Sequence, residues 1–400
     1  MERSELEIAL ARRGHAAFRA RQVFRWIQKH GVTDAGAMTN LSRDLRQELT
    51  DGFAICNPHI VSHERSSDGT EKFMLSLADE RRLESVFIPD TPAMTFCLST
   101  QVGCAMGCTF CLTGKMGLVR NLTAGEIAGQ VRVLAGELGL RRRAFNLVFM
   151  GMGEPLHNYD ETMKAFRILS DEQGFGIPAR RITISTVGIL PELERLAQEP
   201  VIPNLAISLH APTDALRGAL VPLNRKYGIS DVIRVCQRFP LSHRRRITFE
   251  YVLLAGVNDS PDDARTLSRL LAGVRSKVNL IPLNAAAGIP YDRPSDSAVS
   301  RFARELAERG VAVSVRKSRG RDIRAACGQL VVDGQHASPA QQHAVLLRSD
   351  PKTDPFISLK ARRQAHAEIV PRDSNGSTFE RQGAMHRSDL RTAKPRRKRL

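Results

Sequence analysis

From about Glu84 to Lys317 the sequence alternates between two periodicities, and this alternation restricts the possible folds more than any other feature. Short β-like runs (TFCLST, FNLVFMGM, RITIST, NLAISLH, ITFEYVLL, VNLIPLN and VAVSVRK) are separated by amphipathic stretches such as TAGEIAGQVRVLAGELG, LPELERLAQE, SDVIRVCQRF and SPDDARTLSRLLAG. The runs have the length and apolar character of buried strands, and the stretches between them carry the helical repeat. Strands joined by helices lie parallel, because a crossover must return the chain to the end of the sheet where the previous strand began. The expected architecture is therefore α/β: a doubly wound sheet, or a full or partial barrel. Thr123 and Glu126 have capping-box spacing at the start of the first of these helices. Several polar residues fall at strand C-terminal ends, the active face of such folds.

The flanks read differently. Residues 1–75 are expected to form a separate helical domain that contacts RNA. In FRARQVFRWIQKHG (18–31), Val23, Phe24 and Ile27 make an apolar stripe, Arg21, Arg25 and Lys29 make a basic one, and Gly31 is a natural stop. Such a basic stripe can grip phosphates, although a solvated helix face is the commoner meaning. Residues 76–334 form the expected catalytic unit. Beyond it, GQHASPAQQH, RDSNGSTFERQG and the terminal KPRRKRL are polar and small, so 335–400 is expected to be a disordered basic tail.

Net charge is +17 at pH 7, and residues 336–400 hold 14 Lys+Arg against 6 Asp+Glu. The remaining surplus of +9 lies in the body, so the tail alone does not make the chain basic. A polyanionic partner, most simply nucleic acid, fits that balance, as does a merely solvated basic surface. No apolar run has signal-peptide or membrane-span length, which points to a cytoplasmic protein without a membrane partner.

Four of the seven cysteines, Cys97, Cys104, Cys108 and Cys111, lie in the single stretch CLSTQVGCAMGCTFC. An odd number bunched in one segment, in a compartment that keeps thiols reduced, points to metal or redox chemistry rather than a disulfide scaffold. Zinc needs four ligands, and no second Cys/His pair follows, although His157 or His210 could be recruited. A four-iron cluster held by only three cysteines leaves one iron open for substrate, and C-x3-C-x2-C favours that reading. A zinc-stabilised, non-catalytic RNA-binding protein stands as the alternative.

The Cys104–Cys108–Cys111 triplet, with Phe110 before the last cysteine, resembles the signature of the radical S-adenosylmethionine superfamily, whose fold is a partial (βα)6 barrel. FMGMGEPLHN, ISTVGI, LAISLHAP, VPLNRKY, LLAGVNDS, NLIPLN and VRKSRGRDIRAACGQL are similar to the RlmN/Cfr family of radical S-adenosylmethionine RNA methyltransferases. FRARQVFRWIQKHGVTDAGAMTNLS resembles the RlmN branch, which modifies C2 of adenine where the Cfr branch modifies C8. The resemblance spans roughly residues 15–332, and the tail departs from it.

The resemblance implies a 4Fe-4S cluster on Cys104, Cys108 and Cys111 whose unique iron chelates S-adenosylmethionine, with two S-adenosylmethionine molecules used per turnover. It implies that Cys327 is methylated, that a 5′-deoxyadenosyl radical removes hydrogen from that methyl group, and that the carbon then adds to the base. Cys97 would resolve the covalent protein–RNA adduct and leave a Cys97–Cys327 disulfide, with Glu84 as proton acceptor. Gly153, Glu154, Ser185, Ser208, Leu209, His210 and Asn284 match cofactor-contacting positions. Taken alone, a histidine after a strand is usually structural, and a carboxylate flanking a strand is usually solvated. Cys56 and Cys236 read as buried structural thiols. The implied partners are 23S rRNA, tRNA beside the anticodon, and an electron donor such as flavodoxin or ferredoxin, with the chain acting as a monomer. A direct methyl displacement would fail at C2, because that carbon is electron-poor and is not a nucleophile.

Overall fold

The computed structural model describes residues 1–89, 93–242 and 244–335. The expected tail lies outside the described residues, apart from Gln335. Helices at Arg3–Ala11, Ala17–Arg25 and Arg43–Gly52 open the chain. They bury Leu10, Val23, Phe24, Leu45 and Leu49. The second helix continues as a π-helical turn, Trp26–His30, and Gly31 ends it at φ +70°. Arg21, Arg25 and Lys29 are exposed along one side.

The helical region is shorter than the sequence led us to expect. It stops at Gly52, and His59–Arg65 (β1) and Glu71–Ser76 (β2) are strands of the main sheet. β1 is an edge strand with most of its residues exposed. Its polar composition reflects that exposure and hides its strand character.

The strands that follow are Arg82–Ile88 (β3), Thr95–Cys97 (β4), Gln101–Gly103 (β5), Leu118–Asn121 (β6), Asn146–Phe149 (β7), Ile182–Thr186 (β8), Asn204–Ser208 (β9), Ile247–Leu253 (β10), Ser276–Pro282 (β11) and Val313–Val315 (β12). Each of the seven β-like runs of the sequence contains or overlaps one of them. β5 and β6 form a separate antiparallel pair. The other ten form one sheet in the order β1-β2-β3-β4-β7-β8-β9-β10-β11-β12.

From β4 to β12 every pairing is parallel, and each strand lies beside its predecessor. A sheet wound in one direction by crossover helices curls toward a barrel. β1 and β12 do not pair, so this barrel stays open: it is the partial α/β barrel expected. β1 to β3 extend it as an antiparallel flap ending against β4.

The crossover helix Ala124–Glu137 carries the capping box, with Glu126 N–H on Thr123 Oγ1 at 3.2 Å and Thr123 N–H on Glu126 Oε2 at 2.9 Å. It packs Ile127, Val131 and Leu134 on the sheet. A second apolar cluster sits at the strand C-terminal ends and includes Phe110, Leu216, Leu220, Val252, Ile281 and Tyr291. It surrounds the cysteine loop.

Candidate active site

Strand side chains alternate between the two faces of a sheet, so every second residue lines the barrel interior. Thr183 and Ser185 on β8, Ala206 and Ser208 on β9, and Thr248 and Glu250 on β10 all follow this rule. The first of each pair lines a cavity of about 590 Å³ toward the strand N-terminal ends. Ser185 and Ser208 line a cavity of about 150 Å³ toward the C-terminal ends. Met150, Glu250 and Arg316 line both, so the two cavities meet there.

The smaller cavity gathers most of the candidate residues. Cys104, Cys108, Cys111, Gly153, Glu154, Ser185, Ser208, His210, Asn284 and Cys327 all line it. Leu209, Cys97 and Glu84 are not in its wall. The Leu209 side chain is fully buried in the core, and its contribution is a backbone carbonyl.

The loop bearing the three cysteines is pinned along its length. Cys104 N–H donates to Gly117 O at 3.0 Å, Cys111 N–H to Cys108 O at 3.1 Å, and Thr109 N–H to Leu220 O at 3.0 Å. Gly103, at φ +76°, lies so close to the Gly117 carbonyl that no side chain fits there. Burial raises the pKa of all three thiols, and the neighbouring thiols add to the rise. Such thiols ionise only beside a cation.

Among the described residues no three His, Cys, Asp or Glu side chains converge on a single-ion position; the three thiols ring the cavity instead. The donor set suits an iron–sulfur cluster. Asn284 Oδ1 is buried without a hydrogen-bond partner, and Asn284 lines the same cavity. An acceptor left open in this way fits a polar ligand such as an amino acid or a nucleoside. The residues present therefore fit a cluster and a cofactor.

His210 sits at φ +62°, and its Nδ1 accepts the Val252 N–H at 3.1 Å. Burial lowers its pKa to about 3, so the ring is neutral and its proton is on Nε2. Phe110 packs edge-on to it at 4.7 Å. Glu154 accepts Leu156 N–H at 3.0 Å and Val187 N–H at 2.9 Å, which ties the turn after β7 to the end of β8. Burial pushes its carboxyl up to about 7 against these bonds. A Cβ on Gly153 would lie 2.6 Å from Gln101 Cβ, so only glycine fits.

Cys97 ends β4 on the same face as Thr95, which lines the larger cavity. It is buried, and burial first and Cys327 second push its thiol up to about 12, with Arg316 opposing. The two thiols thus feel one another, and both are free. Glu84 lies on the strand beside β4, where Val86 pairs with Cys97. It is 2 % exposed. Its Oε1 lies 3.1 Å from Lys72 Nζ, and its Oε2 accepts Val331 N–H at 2.8 Å. Ser99 joins these pieces by donating to Glu84 O at 2.6 Å and accepting Met152 N–H at 2.8 Å. Cys236 is buried as expected, whereas Cys56 is exposed and so is not the buried thiol its context suggested.

Four residues were missed from sequence. Arg316 borders both cavities, and Cys327, Glu250 and Cys97 hold its guanidinium in the charged form. Glu250 is buried on β10 and accepts from Asn279 Nδ2 at 2.7 Å. A lone carboxylate inside the apolar run ITFEYVLL was the available signal. Lys72 is buried between Glu64 and Glu84, each at 3.1 Å. Arg217 is 1 % exposed and clamps the loops after β8 and β9, donating to Val187 O, Ser208 O and Leu209 O. Burial lowers its pKa to about 10.

A cysteine triplet on the loop above the C-terminal ends of a parallel open barrel defines a radical S-adenosylmethionine enzyme. The Radical SAM superfamily model matches residues 98–267, and the model of the ribosomal RNA large subunit methyltransferase N-terminal domain matches residues 1–55. The chain is 45% identical over 357 residues to the dual-specificity RNA methyltransferase RlmN of Anaeromyxobacter dehalogenans, covering 88% of this chain and 96% of that protein. It is 47% identical to the protein of the same name from Geobacter sulfurreducens, covering 82% of this chain and 89% of the relative. The crystal structure of a radical SAM methyltransferase from Sphaerobacter thermophilus superposes with a TM-score of 0.78 at 47% identity, covering 82% of this chain and 97% of the other. The chain belongs to the RlmN family of radical SAM RNA methyltransferases. No helix among its described residues is long and apolar enough to cross a membrane.

Proposed function

We propose that this chain methylates C2 of adenosine in RNA, acting in the cytoplasm as a monomer on 23S rRNA and on tRNA beside the anticodon. One observation carries the reading: Cys104, Cys108, Cys111 and Cys327 share one cavity, and that cavity meets a larger, basic one. Arg180, Arg181, Lys277, Lys317 and Arg319 line the larger cavity, with Glu250 as the single carboxylate among the described residues of its wall. Cations so placed draw in a phosphate backbone while one base reaches the interior.

A 4Fe-4S cluster on Cys104, Cys108 and Cys111, with two S-adenosylmethionine molecules per turnover and an electron from a flavodoxin- or ferredoxin-like donor, supplies a methyl group and the means to activate it. Gly153, Glu154, Ser185, Ser208, His210 and Asn284 would hold the cofactor from the cavity wall, with Leu209 behind them contributing only through its backbone. His210 does so as a neutral Nε2–H donor. Cys327 accepts the methyl on sulfur; that methyl would lose one hydrogen atom to the radical the cofactor supplies, its carbon would bond to C2 of the adenine, and the adduct would return one electron to the cluster. The C2 proton leaves to Glu84. Cys97 then attacks the sulfur of Cys327, the S–C bond breaks with its electron pair going to carbon, that carbon takes up a proton to become the new methyl group, and the two sulfurs are left as a disulfide. Arg316 opposes the rise that burial imposes on the Cys97 thiol.

The test is anaerobic purification followed by mass spectrometry of nucleosides from RNA of a strain lacking and then regaining the gene. The expected result is a brown protein with iron and sulfide, and 2-methyladenosine that returns with the gene. A colourless zinc protein, or 8-methyladenosine in place of the C2 product, overturns the assignment.

A further inference from the structure

The segment 316–332 carries Cys327 and contains no strand or helix. Its SRGRD sequence reads as a mobile approach to the cysteine, yet the described contacts hold it at both ends. On the far side of Cys327, Leu112 N–H donates to Gly328 O at 2.9 Å and Thr113 Oγ1 to Leu330 O at 2.6 Å. On the near side the partner is the turn between β1 and β2. Asp68 Oδ2 accepts Gly320 N–H at 3.0 Å, and Arg319 donates to Asp68 O at 3.2 Å. Asp322 answers in the opposite direction, accepting Ser66 Oγ–H at 2.6 Å and Ser67 N–H at 3.1 Å. Each aspartate therefore reaches across to the other segment's backbone. Gly320, at φ +61°, leaves no room for a Cβ, which would lie 2.6 Å from Ala325 Cβ and 3.0 Å from Thr70 Cγ2. Ala325 N–H closes the loop on Gly320 O at 2.8 Å.

We propose that Asp68 and Asp322 form a reciprocal clamp by which the β1–β2 turn sets the reach of Cys327, making both aspartates positioning residues for the thiol. The inference rests on the reading above, in which Cys327 must meet a methyl donor, an adenine and Cys97 in turn. A tether anchored at 320–322 and again at 328–331 leaves only a few residues free, so the sulfur samples a small volume. Restricting that volume raises the effective concentration of one thiol at the other.

Disulfide formation with glutathione measures this directly and needs neither RNA nor turnover: Cys97 and Cys327 lose two hydrogens to glutathione disulfide, giving one protein disulfide and two glutathione thiols. The anaerobically reconstituted full-length protein is equilibrated over a series of glutathione ratios and quenched by alkylation. The Cys97–Cys327 linked peptide is then quantified by mass spectrometry. In Asp68→Ala/Asp322→Ala the equilibrium constant for the disulfide is expected to fall at least tenfold, while Asp79→Asn, at the β2–β3 turn, leaves it unchanged. Asp322→Asn, which keeps one acceptor oxygen, should fall between them. A folded double variant within twofold of wild type, or above it, overturns the clamp. Should the double variant fail to fold, Ser66→Ala decides: a fall of threefold or more supports the clamp, and a smaller change overturns it. A wild-type chain that forms the disulfide and responds to these variants, yet methylates no RNA, would refute the proposed function and leave the clamp standing.

Discussion

Glu84 and Val331 stand 247 positions apart in sequence and are joined by a hydrogen bond of 2.8 Å from the Val331 amide to Glu84 Oε2. The other carboxylate oxygen lies 3.1 Å from Lys72 Nζ. One buried carboxylate thus links the antiparallel flap to the segment that carries Cys327, four residues before Val331. The residue proposed as proton acceptor is also a tether for the thiol it would serve.

Removing Lys72 isolates that carboxylate. Burial raises the Glu84 pKa and Lys72 opposes the rise, so Lys72→Met should raise it further. An acid whose folded pKa lies above its unfolded value, about 4.3, binds its proton more tightly when folded. The cost is absent at low pH and grows as pH climbs toward the raised folded value. Thermal melts should show Lys72→Met close to wild type at pH 4.5 and destabilised by on the order of 3 kcal/mol at pH 8. A deficit that is constant across this range would mean that lost packing, not charge, is responsible.

Any one of Cys104→Ala, Cys108→Ala or Cys111→Ala should abolish both the cluster and all cleavage of S-adenosylmethionine. Two thiolates cannot hold a four-iron site with one free corner. Iron and sulfide analysis with an assay for 5′-deoxyadenosine checks this. Full iron content and activity in Cys108→Ala would refute the ligand set.

The two redox thiols should fail differently. Cys327→Ala should form no bond to RNA, because the sulfur that carries the methyl is gone. Cys97→Ala should form the bond and stall, since only resolution needs that thiol. On a denaturing gel of protein expressed with its RNA, a nuclease-sensitive slow band is expected for Cys97→Ala alone. The reverse pattern would exchange the two roles.

RNA affinity should divide between the mouth and the tail. Arg180→Ser/Arg181→Ser removes two cations from the wall of the larger cavity. It should weaken binding and flatten the dependence of log K on log salt by roughly 1.5 to 2. Deleting residues 340–400 removes charge from a segment that holds no candidate site residue. It should lower affinity modestly and flatten the salt dependence, yet leave turnover at saturating RNA intact. Turnover lost at saturation would give the tail a catalytic part.

Local order was legible in the sequence because backbone geometry imposes it over a few residues. Alternation in RITIST and NLAISLH marks which side chains enter a barrel, the Thr123/Glu126 spacing marks a helix start, and C-x3-C-x2-C marks a loop able to ring a cluster. Those signals sufficed for a parallel α/β architecture and for the cysteine loop, whereas the partial barrel and the other residues around its upper cavity were expected from the resemblance to a known family. β1 escaped because an exposed edge strand needs no apolar alternation. Glu250 and Lys72 on their strands, and Arg316 just past β12, escaped because a charged residue means nothing until its neighbours are known. Tertiary structure alone set Asp68 against Gly320, Glu84 against Val331, and Cys97 within the field of Cys327. The physical reason is range. A periodicity is written in consecutive residues, whereas a hydrogen bond across some 250 positions exists only after the sheet has curled and brought its first hairpin beside its last loop.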